Sequence, residues 1–198
     1  MKVGVLSLQG DVREHVSALI ACGIDPIEVR RESELAEVDA LVLPGGESTT
    51  IAQLSEIFGI FEPIKQRIVA GMPVYGSCAG MILLADQILD AKQGQKTFGG
   101  LDITVRRNAF GRQVDSFETD ISFDDGSSEL IKAVFIRAPW VEKVGAGITV
   151  LASVDSHPVA VRSATLLATS FHPELTADHR IHRYFIEEVA KPALEKVK

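Results

Sequence analysis

The sequence predicts an α/β fold: an open, mostly parallel sheet with helices on both faces, followed by a β-rich C-terminal half. Three observations carry that prediction. In the N-terminal half, short apolar runs alternate with segments whose apolar residues recur at helical spacing, the pattern of parallel strands joined by crossover helices. Glycine-containing turns sit where strand gives way to helix. Beyond about Leu101 the helical spacing fades into short β-rich segments.

Val3 to Leu8 is the first apolar run, and after Gln9-Gly10 the residues Val12, Val16, Leu19 and Ile20 repeat at helical spacing. Ile27 to Val29 reads as a short strand and Ala40 to Leu43 as a buried one. Ile51, Leu54 and Phe58 then mark an amphipathic helix, with Ser48 and Thr49 as candidate caps. Pro73 to Tyr75 leads into a helix over Ala79 to Ala85. The later strands are Ile103 to Arg106, Phe117 to Phe123, Val134 to Ile136, Thr149 to Val154, Val159 to Val161 and Leu166 to Ser170, which either extend the sheet or add an antiparallel flap. Asp124-Asp125-Gly126 is a turn, and a last helix carries Ile181, Phe185 and Val189 on one face.

Composition bounds the function. The 198 residues suit one domain, 1–198, since domains run at about 150 residues. No linker, repeat or low-complexity tract divides them. A hydrophobic fraction of 46% and a charged fraction of 24% are those of a globular chain. A net charge of −7 without a Lys/Arg cluster excludes a phosphate-backbone binder, so no nucleic acid is expected. Apolar runs such as Met81 to Ala85 are far shorter than the roughly 18 residues of a membrane span. No signal peptide is legible, and two cysteines make no disulfide framework, so a cytoplasmic location is expected.

The chemistry concentrates in three places. Pro73-Val74-Tyr75-Gly76-Ser77-Cys78-Ala79-Gly80 runs from an apolar strand through Gly-x-Cys-x-Gly into an apolar helix, the pattern of a nucleophile elbow. Gly76 and Gly80 suit so tight a turn, the helix N-terminus favours a Cys78 thiolate, and the Ala79 amide points where an oxyanion would form. Taken alone, Cys78 reads equally as a small buried hydrophobe, and Cys22, inside a helix, has only that reading. Ser170-Phe171-His172-Pro173-Glu174 supplies the partner base. Pro173 biases His172 toward extended geometry, where residues two apart share a side, so Glu174 can fix the His172 tautomer. Third, Leu43-Pro44-Gly45-Gly46-Glu47-Ser48 lies at the carboxyl end of a strand, where open α/β sheets bind ligands. Gly46 is there a second oxyanion donor and the following helix N-terminus suits a carboxylate. A phosphate loop is ruled out by the missing Gly-Lys-Ser/Thr. His179 and His182 on the final helix could join His172 as metal ligands, but neither cysteine lies near in sequence and one helix face suffices to explain them, so no metal site is expected; His15 and His157 carry no signal.

Nucleophile, base, orienter and oxyanion donors together are the parts of acyl transfer. In these motifs the chain resembles triad (class I) glutamine amidotransferases, and within them the glutaminase subunits of pyridoxal 5′-phosphate synthases. The resemblance covers Gly4-Val5-Leu6-Ser7-Leu8-Gln9-Gly10, Val12-Arg13-Glu14-His15, Leu43 to Thr50, Cys78-Ala79-Gly80, Arg107 to Phe117, Phe135-Ile136-Arg137-Ala138-Pro139 and Ser170 to Thr176. It implies a flavodoxin-like sheet and a Cys78-His172-Glu174 triad that hydrolyses the side-chain amide of L-glutamine through a thioester, without cofactor or metal. Glutamine would be held by Gly46, Glu47, Ser48, Arg107, Ile136 and Arg137. It further implies a partner, a (β/α)8-barrel synthase subunit that receives the ammonia, with docking near Gln9 and Gly10. Trp140, directly after Ala138-Pro139, sits where the family is expected to vary, and reads either as an exposed aromatic at a partner surface or as a core residue. Two other readings keep the same residues: a free-standing cysteine hydrolase, and an idle scaffold.

Overall fold

A computed structural model describes residues 1–107, 109 and 116–196. Its seven-stranded sheet has the order β10-β11-β12-β4-β3-β1-β2. The strands are β1 (Val3–Leu6), β2 (Ile27–Val29), β3 (Ala40–Leu43), β4 (Val74–Ser77), β10 (Thr149–Val154), β11 (His157–Arg162) and β12 (Leu166–Thr169). The five from β2 to β12 pair in parallel, and β11 and β10 add an antiparallel edge. The β-rich half therefore does extend the sheet. It also forms two smaller sheets: β5 (Ala85–Leu89), β6 (Leu101–Arg106) and β9 (Trp140–Val144) in one, and the hairpin of β7 (Ser116–Ile121) with β8 (Ile131–Ile136) in the other.

Each central strand is buried on both faces, which is why its sequence is a run and not an alternation. Alternate residues feed two cores. Leu6, Leu41, Leu43, Leu166 and Ala168 point to one, packed by α3 (Ser48–Ile57), α4 (Phe61–Val69) and α5 (Ala79–Leu84). Val3, Val5, Ala40, Val42 and Leu167 point to the other, with Leu19 of α1 (Val12–Ala21) and Ile181 of α6 (Arg180–Tyr184). Helices thus cover both faces, as expected for crossover connections.

Several elements differ from the sequence reading. Helix α1 buries His15, Ala18 and Leu19, whereas Ile20 is 57% exposed, so the inward face is rotated toward His15. Cys22 is not inside that helix but caps its end, half-buried, and burial pushes its thiol up. The cap of α3 is Glu47, whose carboxylate accepts from the Thr49 N–H; Ser48 and Thr49 are already helical. Short helix α2 (Glu32–Leu35) and strands β5 and β9 have weak or mixed patterns and were not legible, whereas α4 was missed although its buried Phe61, Ile64 and Ile68 recur at helical spacing. The last helix does bury Ile181, Phe185 and Val189, but it continues from α6 as a wider π turn over Phe185–Ala190 into α7 (Lys191–Glu195). Pro192, which has no N–H, interrupts the regular ladder there.

Parallel order 2-1-3-4 places a switch point between β1 and β3, and the loops at strand carboxyl ends converge beside it. Gln9 to Asp11 follow β1, Pro44 to Glu47 follow β3, Cys78 follows β4, and Ser170 to Glu174 follow β12. Two backbone bonds lock this edge: the Cys78 N–H donates to Thr169 O at 2.7 Å, and the His172 N–H to Val134 O at 2.8 Å.

Candidate active site

Cys78 sits between β4 and α5 with φ 47° and ψ −98°, a conformation that costs a non-glycine residue about 1–3 kcal/mol. The turn is held because its neighbours leave room for nothing else. A Cβ on Gly80 would lie 2.4 Å from the Leu43 carbonyl oxygen, so only glycine lets α5 close against β3. The strained turn presents Sγ to a cavity while the side chain stays 7% exposed. The Ile136 carbonyl oxygen is 4.0 Å from Sγ.

His172 and Glu174 do meet, with Nδ1 donating to Oε1 at 2.8 Å. The contact is made differently from the expected extended pair: residues Pro173–Leu175 form a 3-10 turn, and only His172, at φ −108° and ψ 83°, is outside the helical region. Glu174 is buried, and its Oε1 also accepts from Ser77 Oγ at 3.2 Å. Burial alone would push its carboxyl up, but His15 and His172 outweigh that and hold it well below the usual carboxylate range. For His172, burial opposes the charge, yet the carboxylates of Asp11 and Glu174, together with the nearby Cys78 sulfur, prevail and push it up to about 12. Its Nε2 atom is buried with no hydrogen-bond partner among the described residues, in the cavity that also contains Cys78.

That cavity, of about 440 Å³, is lined by Gly46, Glu47, Ser48, Cys78, Arg107, Ile136, Arg137 and His172, together with Gln9, Asp11, Ile82 and Lys92. Every residue expected to hold substrate therefore faces one space. Arg107 donates to Glu47 Oε1 at 3.1 Å and to Gln95 Oε1 at 2.7 Å, and its Nε has no partner among the described residues. It is not a surface ion pair, since its side chain is 8% exposed. Arg137 is exposed, with φ 43°. Burial raises Glu47, but Thr49, Arg107 and Lys92 leave it below its ordinary value. The cavity thus brings a thiol and an imidazole together with a carboxylate, Glu47, that has Arg107 and Lys92 beside it. Of the run 107–117, residues 108 and 110–115 lie outside the described residues.

Sequence reasoning missed four neighbours. Asp11 Oδ2 lies 3.3 Å from His172 Nδ1, and Lys92 Nζ 3.7 Å from Glu47. Both come from loops without a motif. His15 and His182 are fully buried behind Glu174, with His15 Nδ1 2.9 Å from His182 Nε2. The spacing of His15 from Val12 and Leu19 on α1 was the available signal. His182 therefore faces His15 and not His172. Donor atoms of Asp11, His172 and Glu174 fall within 4.8 Å of one another, but the His172 Nδ1 proton already lies between the two carboxylates. His157, also without signal, stacks on Trp140 at 3.8 Å.

The sequence and the fold are similar to those of known proteins. A model of the SNO glutamine amidotransferase family matches residues 5–191. Pyridoxal 5′-phosphate synthase subunit PdxT of Parafrankia sp. (strain EAN1pec) is 62% identical over 188 residues, 95% of this chain and 93% of that one. The protein of the same name from Streptomyces coelicolor is 60% identical over 187 residues, 94% of this chain and 93% of its own. A crystal structure of a glutamine amidotransferase superposes with a TM-score of 0.87 at 48% identity, covering 93% of this chain and 97% of the other. PurLQS from Thermotoga maritima, at 17% identity and a TM-score of 0.63 over 100% of this chain and 99% of that one, shares the fold. With a matched span running from β1 into the last helix, the chain belongs to the SNO glutamine amidotransferase family.

Proposed function

We propose that the chain is the glutaminase subunit of a pyridoxal 5′-phosphate synthase: it hydrolyses the side-chain amide of L-glutamine and supplies the ammonia to a synthase partner for vitamin B6 biosynthesis. The carrying observation is the buried His172–Glu174 bond of 2.8 Å beside the cavity that Cys78 enters from a strained turn.

In this reading Cys78 passes its proton to His172 Nε2 and its sulfur attacks the amide carbon of glutamine. Negative charge gathers on the former carbonyl oxygen, where the N–H groups of Ala79 and Gly46 are the donors. His172 returns the proton to the departing nitrogen, the C–N bond breaks, and ammonia leaves a thioester on Cys78. Water, deprotonated by the same imidazole, attacks the thioester and releases glutamate. Glu174 keeps the His172 proton on Nδ1, which leaves Nε2 free for each transfer. At the far end, Arg107 and Arg137 take the α-carboxylate, Glu47 the α-ammonium, and the Ser48 and Ile136 segments the remaining polar atoms.

The partner, a (β/α)8-barrel synthase subunit, docks near the turn after β1. Two bonds favour this face: the Asp11 N–H donates to Gly45 O at 3.1 Å, and the Glu47 N–H to Gln9 Oε1 at 2.9 Å. Any shift of Gln9 on docking is thereby passed to the oxyanion loop. The deciding assay is glutamate release with and without the synthase subunit. Release that rises with the partner and vanishes in Cys78→Ala supports the reading. No release alongside cleavage of small esters would make the chain a free-standing hydrolase.

A further inference from the structure

Behind Glu174 lies a buried polar group that the reaction above does not use: Ser77, His15 and His182, all fully buried. Its proton positions follow from what each atom is able to do. Glu174 as a carboxylate only accepts, so Ser77 Oγ–H donates to its Oε1 at 3.2 Å. Ser77 Oγ, its proton spent, then accepts from His15 Nε2–H at 3.0 Å, and that same N–H lies 3.4 Å from Glu174 Oε1. His15 Nδ1 is 2.9 Å from His182 Nε2. Were His15 doubly protonated, Nδ1–H would donate to His182 Nε2 and force the His182 proton onto Nδ1. That atom is buried without a partner among the described residues, and a stranded N–H is costlier than a bare lone pair.

We infer that His182, His15 and Ser77 form a one-directional hydrogen-bond chain, both histidines neutral with the proton on Nε2, that positions the Glu174 carboxylate for His172. His15 and Ser77 are positioning residues; neither lines the substrate cavity. This role rests on the reading of Glu174 as the orienter of His172.

Two experiments test it on the full chain. Long-range ¹H–¹⁵N NMR of the ring nitrogens should show His15 and His182 as neutral Nε2–H tautomers; an imidazolium or an Nδ1–H form at His15 overturns the chain. In glutamate release with the synthase subunit present, His15→Asn should lower kcat about tenfold, the scale of coupling within a buried network, with KM for glutamine unchanged. His15→Gln, which restores a donor near the Nε2 position, should recover most of that loss, and Ser77→Ala supplies a smaller perturbation where His15→Asn does not fold. Each loss should shrink to nothing in a Glu174→Gln background. Losses that simply multiply with Glu174→Gln overturn the proposal. Release that survives Cys78→Ser would overturn the reading of the site, and with it this role, while the tautomers would stand as measured.

Discussion

The Oδ2 atom of Asp11 lies 3.3 Å from Nδ1 of His172, the nitrogen that already donates to Glu174. One N–H is thus shared between a buried carboxylate and a half-exposed one. Asp11→Asn should lower the pH at which His172 titrates, because Asp11 is one of the groups holding it up. Following the His172 ring proton by NMR checks this. The cost in kcat/KM should stay below about fivefold, the weight of a half-exposed pair.

His172→Asn removes proton transfer and leaves the pocket. Turnover should fall by about 10²–10⁴ while glutamine affinity is largely kept. Isothermal titration beside the glutamate assay separates the two. Glu174→Gln should cost less than losing His172; equal losses would mean that its charge matters beyond its bond.

Arg107 has a buried guanidinium with Nε unpartnered among the described residues. Arg107→Met should raise KM for glutamine by about 10- to 100-fold, the value of a bond to a charged group, with kcat little changed. A fall in kcat at constant KM would remove Arg107 from substrate binding.

Gly45 is pressed against the base: a Cβ there would sit 2.4 Å from His172 Cε1. Gly45→Ala must push the ring or the loop, so glutaminase activity should be lost, with about 1–3 kcal/mol of destabilisation from overpacking. Urea unfolding and the glutamate assay read the two effects. Full activity would place the loop farther from His172.

Stability should peak near pH 6.5. His182, held down to about 3 chiefly by burial, stays neutral in the fold while an unfolded histidine protonates below about 6.5, so acidification favours unfolding. His172, pushed up to about 12, contributes stability that is fully present below about 6.5 and is lost as pH rises through its folded value. Glu174, held low by His15 and His172, adds a further loss below about pH 4.3. Urea midpoints across pH should show this maximum, and His182→Gln should flatten the limb between about pH 3 and 6.5.

The strands β1, β3, β4 and β12 were legible because strands buried on both faces are written as unbroken apolar runs. Cys78, His172 and the Gly45-Gly46 loop were legible because their chemistry demands local spacing. Asp11, Lys92 and His182 were not, since each reaches the site through strand order that no local pattern encodes. His15 was hidden by its type: a histidine on the inward face of α1 breaks the apolar stripe that marks that face. The cap of α3 was misplaced by one or two residues, at Ser48 and Thr49, because Glu47 serves the helix and the cavity at once.

Strand β12, residues 166–169, slots between β4 and β11 in the middle of the sheet although it is made late in the chain. A growing polypeptide must therefore wait for its final fifth before the nucleophile's strand gains its second neighbour, and until then β4 presents a bare, sticky margin. Truncation anywhere upstream of residue 166, which also removes His172 and Glu174, should therefore yield insoluble material in place of a soluble, inactive remnant.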